Sequence, residues 1–139
     1  MLDSFAVLCF LEDEPGAEEV HKLLNAAATG TCQLNMTVVN LAEVIYTVTR
    51  HEGQEQASEV LSLLESFPIN FEEIDKELAL IAADIKSRFS IALGDCFCIA
   101  SAKNHSATAV TGDPEFKEVT HEIKIKWLPE KTEEKTDLI

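Results

Sequence analysis

Positive charge is scarce in this chain, which sets 11 lysines and arginines against 25 aspartates and glutamates for a formal net charge of −14. So large a negative excess excludes broad electrostatic adhesion to nucleic acid or to an anionic membrane, and any contact with a phosphate backbone has to be local. Glycine and proline are also sparse, at five and four, which excludes a collagen-like repeat. A hydrophobic content of 46% is too high for a disordered chain. The four cysteines, Cys9, Cys32, Cys96 and Cys98, include no C-x-x-C pair and have no histidine at ligand spacing. That pattern excludes a zinc knuckle or a disulfide scaffold and suits buried thiols in a reducing cytoplasm. No apolar run reaches the roughly 18 residues of a membrane span, and no basic leader precedes an apolar segment. The expectation is one cytoplasmic domain, since 139 residues fall within the usual range for a single core.

What the sequence does contain is an alternation of helix and strand signals. Glu14 to Ala28 predicts a helix, with Pro15 at its first position, Glu18 and Glu19 in the first turn and Gly30 as a stop. Cys32 to Met36 is strand-like, and Thr37 caps a helix through Val38, Leu41, Ala42, Ile45 and Val48 that Gly53 ends. A third helix carries Leu61 and Leu64, a strand follows over Phe67 to Ile74, and Leu78, Ile81, Ala82, Ile85 and Phe89 line one face of the next helix. Leu93 to His105 is helical again, and Ala107 to Thr111 and Ile123 to Trp127 read as strands. This order predicts an α/β fold of three layers, a parallel β-sheet flanked by helices, with ligands beyond the carboxyl ends of the strands. The domain is expected over residues 1–127, and 128–139 as a polar, flexible tail.

Most acidic residues stand in charged clusters such as Glu12-Asp13-Glu14 and need no function beyond solvation. Four are isolated among apolar or small residues: Asp3 in MLDSFAVLCFL, Glu43 in VVNLAEVIYTV, Asp95 in IALGDCFCIASA and Asp113 in TAVTGDPEF. Burying ionised carboxylates without partners is costly, and no set of isolated basic residues matches them. Asp3 and Asp113 are expected at strand ends, Glu43 and Asp95 near helix starts, so all four fall on one rim of the predicted sheet. A shared Mg2+ or Mn2+ is the economical way to keep such a cluster ionised, because both ions prefer oxygen ligands.

In order along the chain, D-S near the N-terminus, N-L-A-E-V on a helix, L-G-D-C-F-C-I-A-S-A-K on another and V-T-G-D-P-E-F resemble the PIN domain, most nearly its small prokaryotic members such as VapC-type toxins. The resemblance covers about residues 1–127. It implies a metal-dependent ribonuclease with Asp3, Glu43, Asp95 and Asp113 as its acidic residues, frequent homodimers and, in the toxin branch, a small antitoxin partner. The chain departs from the family pattern in having only Met1 and Leu2 before the first Asp, and Phe5 where a small hydroxyl or Asn is usual. A catalytically weak or inactive module that binds protein or RNA is therefore the alternative.

In the nuclease reading, ions held by these carboxylates promote attack of water on an RNA phosphodiester without a protein nucleophile. Arg50, two helical turns beyond Glu43, and Lys103, beyond Asp95, are candidate phosphate contacts. His21, His51, His105 and His121 show no ligand spacing. The apolar residues along Val38 to Val48 and Leu61 to Leu64 suggest an uncovered helical face that pairs two copies.

Overall fold

The computed structural model describes residues 1–130. Its elements are α1 (Ser4–Leu11), α2 (Ala17–Ala28), β1 (Leu34–Thr37), α3 (Val38–Glu52), α4 (Gln54–Ser66), β2 (Ile69–Glu72), α5 (Lys76–Arg88), α6 (Leu93–Asn104), β3 (Ala109–Thr111), a 3-10 turn (Pro114–Val119) and β4 (Ile125–Trp127). Local chemistry sets many of their ends. The Thr37 side chain accepts the Asn40 N–H at the start of α3, and Asp75 accepts the Leu78 N–H at the start of α5, each satisfying a donor the helix itself leaves open. Gly53, at φ 93°, turns the chain sharply between α3 and α4. Helix α2 begins at Ala17 rather than near Pro15 because Gly16 adopts φ 105°, a left-handed conformation that interrupts the helix.

All strand pairing is parallel. β1 pairs with β2 and β3 with β4, and residues 1–3 join the two ladders. The Leu2 N–H donates to the Asn35 carbonyl at 2.8 Å, the Val110 N–H donates to the Met1 carbonyl at 2.8 Å, and Leu2 bridges Val110. The strand order is thus β2, β1, residues 1–3, β3, β4, an α/β arrangement with parallel strands between helices. Side-chain alternation along so short a centre is visible in the packing. Met1 and Ala109 enter the core formed with α5, α6 and the 3-10 turn, around Ile85, Ile99 and Phe116. Leu2 and Val110 enter the opposite core with α1 to α4, around Val20, Met36, Val44 and Leu64. Burial of such side chains contributes roughly 1.5–3 kcal/mol each.

Because every strand runs the same way, Asp3, Thr37, Glu72 and Thr111 emerge on one rim. Leu128, where the polar tail is expected to begin, is buried, and its N–H donates to the Thr111 carbonyl at 2.8 Å. The expected tail from residue 131 onward lies outside the described residues. No helix among the described residues is long and apolar enough to cross a membrane.

Candidate metal centre

Asp3 closes the central segment and caps α1, whose Ala6 N–H donates to Oδ1 at 2.8 Å. The residue is fully buried, and its Oδ2 has no hydrogen-bond partner among the described residues. Burial pushes the carboxyl up to about 7, against the pull of the nearby Thr111 hydroxyl and the Ala6 N–H, while the charges of Asp113 and Glu43 raise it further. A buried carboxylate with an open oxygen is costly unless something outside the chain completes it.

Glu43 reaches the same rim from the second turn of α3. Its orientation is fixed by Asn40, whose Nδ2 donates to Glu43 Oε1 at 3.0 Å and to the Gly94 carbonyl at 3.2 Å. The Thr37 hydroxyl in turn donates to Asn40 Oδ1 at 2.6 Å, which fixes the way the amide faces. Gly94 has no side chain to obstruct this approach: a Cβ there would lie 2.3 Å from Glu43 Oε2.

Asp95, the third residue of α6, is only 7% exposed. Its carboxyl is pushed up to about 8, chiefly by burial and then by the charges of Asp3, Asp113 and Glu43, with a hydrogen bond shared with Asp113 acting in the same direction. Asp113 follows β3 and begins the 3-10 turn, accepting the Glu115 N–H at 2.9 Å, while its own N–H donates to the Thr111 hydroxyl at 3.0 Å. The structure therefore brings the four isolated carboxylates into mutual electrostatic contact. Among the described residues no lysine or arginine forms an ion pair with any of them.

A fifth acid, Glu115, belongs to the same cluster: carboxylate oxygens of Asp95, Asp113 and Glu115 all lie within 4.8 Å of one another. In the sequence an acid just after Asp-Pro looks like an ordinary turn residue. The only signal was its spacing two residues after Asp113. The donor set, all carboxylate with one orphaned buried oxygen, fits a hard divalent cation that takes oxygen ligands. It does not fit zinc in a thiolate site, since the nearby Cys96 and Cys98 thiols are held protonated by burial.

The candidate phosphate contacts fare differently. Lys103 sits about 12 Å along α6 from Asp95 and pairs with Glu122 at 3.3 Å, whereas Arg50 lies at 5.9 Å over the ring of Tyr46, outside any ion pair among the described residues. His105 bonds Glu72 at 3.0 Å, His21 stacks on Phe10 and His121 meets Phe89 edge-on, and none of these joins the carboxylate cluster.

The sequence pattern of the PIN domain matches residues 1–122. No curated protein matches the chain. The fold is similar to a chain of VapBC2 from Rickettsia felis bound to a fragment of its promoter DNA, with a TM-score of 0.72 at 17% identity over 92% of this chain and 97% of that one. It is also similar to a chain of DNA-bound VapBC from Salmonella typhimurium, with a TM-score of 0.71 at 17% identity over 91% and 95% of the two chains. FitAcB from Neisseria gonorrhoeae gives a TM-score of 0.63 at 22% identity over 89% and 94%.

Proposed function

This chain belongs to the PIN domain family, and from that premise we propose that it is an endoribonuclease dependent on Mg2+ or Mn2+, the toxin of a toxin–antitoxin pair, acting in the cytoplasm through a single domain over residues 1–127. The observation that carries the reading is that the charges of Glu43 and Asp113 bear on the buried carboxyls of Asp3 and Asp95, beside the orphaned Oδ2 of Asp3, with no lysine or arginine among the described residues ion-paired to any of the four. Asp3, Glu43, Asp95 and Asp113 would hold the cation, which supplies Lewis-acid charge at the scissile phosphate.

The chain's own residues do the positioning. Thr37 and Asn40 lock Glu43 against α6, so that its carboxylate does not reorganise when substrate arrives. Asp3, sealed between α1 and β3, would set a carboxyl at the floor of the site in a water-poor setting. Asp113, only partly buried, would accept a proton from the attacking water. RNA is held locally, by Arg50 and by the site itself, since the net charge opposes wider contact.

The complexes formed by the VapBC relatives support a small antitoxin protein as partner. Self-association into a homodimer has fewer residues to draw on than the sequence suggests, because Val44, Val48 and Leu64 fill the chain's own core and only Tyr46 and Leu63 of that face stand out, at 53% and 42% exposed.

The test is cleavage of a defined RNA by the purified chain with Mg2+, with Mn2+ and with a chelator, alongside Asp95→Asn. Metal-dependent cleavage that Asp95→Asn loses supports the reading. Intact RNA under every condition would overturn it in favour of a non-catalytic interaction module, the role that Phe5 would suit.

A further inference from the structure

Tyr46 and Arg50 follow Glu43 on α3, three and seven residues further on. At about 1.5 Å and about 100° per residue, both fall within about 60° of Glu43 around the helix, about 4.5 and 10.5 Å along it. The three positions form a row that starts at the acidic cluster and leads away from it. Both outer members are exposed, and the Arg50 guanidinium carbon lies 5.9 Å from the centre of the Tyr46 ring, within cation–π range. The chain has only two arginines, and they are used differently. Arg88 is bound by Asp84 and Glu122, whereas Arg50 has no carboxylate partner among the described residues, in a chain with acids to spare. Laid over a ring instead, its guanidinium keeps N–H donors for an acceptor from outside the chain. Helix α6 adds to this surface. Of the five large apolar side chains exposed among the described residues, Tyr46 and Leu93 stand within three residues of Glu43 and Asp95, on the two helices that meet where Gly94 lies against Glu43. Exposed apolar surface thus gathers beside the carboxylates.

A phosphodiester strand is repelled by a net charge of −14, so its anchors have to be groups that work locally. An aromatic face is one, since bases stack on it whatever their sequence. A guanidinium is another, because its fork of donors matches a phosphate. We propose that Tyr46 and Arg50 form a docking platform for RNA, the ring stacking on the base beside the reacting phosphate and the guanidinium binding a phosphate further along the strand. The platform rests on the nuclease reading above and names the side chains that seat its substrate. The ring holds the guanidinium before RNA arrives, which lowers the ordering cost of the phosphate contact. Neither group touches the bond that breaks, so both act through binding and orientation.

Binding is read by fluorescence anisotropy of a labelled, unstructured RNA of about twelve nucleotides, with Mn2+ and the full chain carrying Asp95→Asn so that the RNA stays intact. Adding Tyr46→Ala is expected to weaken binding about tenfold, the scale of one lost base stack, whereas Tyr46→Phe keeps the ring and the affinity. Adding Arg50→Gln should lower the slope of log affinity against log salt by about 0.7, one phosphate contact on a single strand. Both side chains are exposed, so melting temperatures should stay near that of the parent. A ribose-phosphate strand of the same length without bases should bind equally with and without Tyr46→Ala. No RNA binding by the parent, or equal affinity of Tyr46→Ala and the parent for the RNA, would overturn the proposal. So would an equal loss on the strand without bases, since the ring would then act without a base to stack on. If Tyr46→Ala disperses a dimer in sedimentation and leaves RNA affinity unchanged, the ring belongs to a second copy and the proposal falls. Cleavage of the same RNA by the chain without Asp95→Asn judges the nuclease reading separately: intact RNA together with the tenfold loss in Tyr46→Ala would sink that reading and leave the platform standing on a non-catalytic module.

Discussion

Glu43 occupies the space that a side chain on Gly94 would need, with its Oε2 2.3 Å from where a Cβ would stand. Gly94→Ala should therefore push the carboxylate off the rim. A glutamate tip yields easily, so the melting temperature should change by only a few degrees, while RNA cleavage should fall by about tenfold or more. Full activity in Gly94→Ala would show that Glu43 is not needed where it stands.

Asp95→Asn should abolish metal-dependent cleavage and spare the fold. Asn replaces an acid whose ionisation burial and the neighbouring carboxylates oppose, so without metal the variant should be as stable as the wild type or, at a pH where Asp95 would ionise, more so, whereas added Mn2+ should stabilise the wild type more. Thermal unfolding with and without Mn2+ reads both signs. A metal-free loss of stability with unchanged cleavage would make Asp95 a structural residue.

Stability of the metal-free protein should fall as pH rises between about 4 and 8. Asp3 and Asp95 have folded pKa values raised to about 7 and about 8 from 3.8, so in this window the folded state binds more protons than the unfolded one, and the slope of unfolding free energy with pH is negative. The loss is on the order of a few kcal/mol, is absent below the unfolded pKa and is complete above the folded one. Denaturant midpoints in chelator at about pH 5 and about pH 8.5 measure it, and Asp3→Asn should flatten the difference. An equal or higher midpoint at the upper pH would contradict the cluster's electrostatics.

Sedimentation of the purified chain at tens of micromolar checks self-association. A dimer that Tyr46→Ser with Leu63→Ser disperses would locate the contact on α3 and α4. A monomer would remove the homodimer and leave the metal chemistry untouched.

Those parts of the fold whose signals are local were legible in the sequence. Thr37 and Gly53 mark both ends of α3, and the structure places it at Val38–Glu52; of the apolar face expected there, Val48 is buried, joined by Val44. Helix α1 was not legible, because SFAVLCFL is apolar on every side and carries no period for a pattern to show. The early start expected for α2 failed at Gly16, whose backbone is left-handed at φ 105° and where a Cβ would crowd Pro129 and Cys9, so the constraint comes partly from residues distant in sequence. At the site, Asp3, Glu43, Asp95 and Asp113 stood out because each is an acid in apolar company. Glu115 did not, since its environment is made by α6 folding over it. Nor did the role of Asn40, which depends on Gly94, 54 residues away.

The central place of residues 1–3 has a consequence for the order of assembly during synthesis. The segment leaves the ribosome before the strands it joins, yet it bonds to Asn35 on one side and to Val110 on the other, and the Met1 amino group donates to the Thr108 carbonyl across 107 positions. The half-sheet of β1 and β2 can form with this edge while translation continues, but its far side stays open until β3 has emerged. Contacts of such long range are slow to close. The nascent chain therefore completes its acidic cluster last, when Asp113 arrives, and a truncated product would hold Asp3, Glu43 and Asp95 without the segment that brings Asp113 and Glu115 to them.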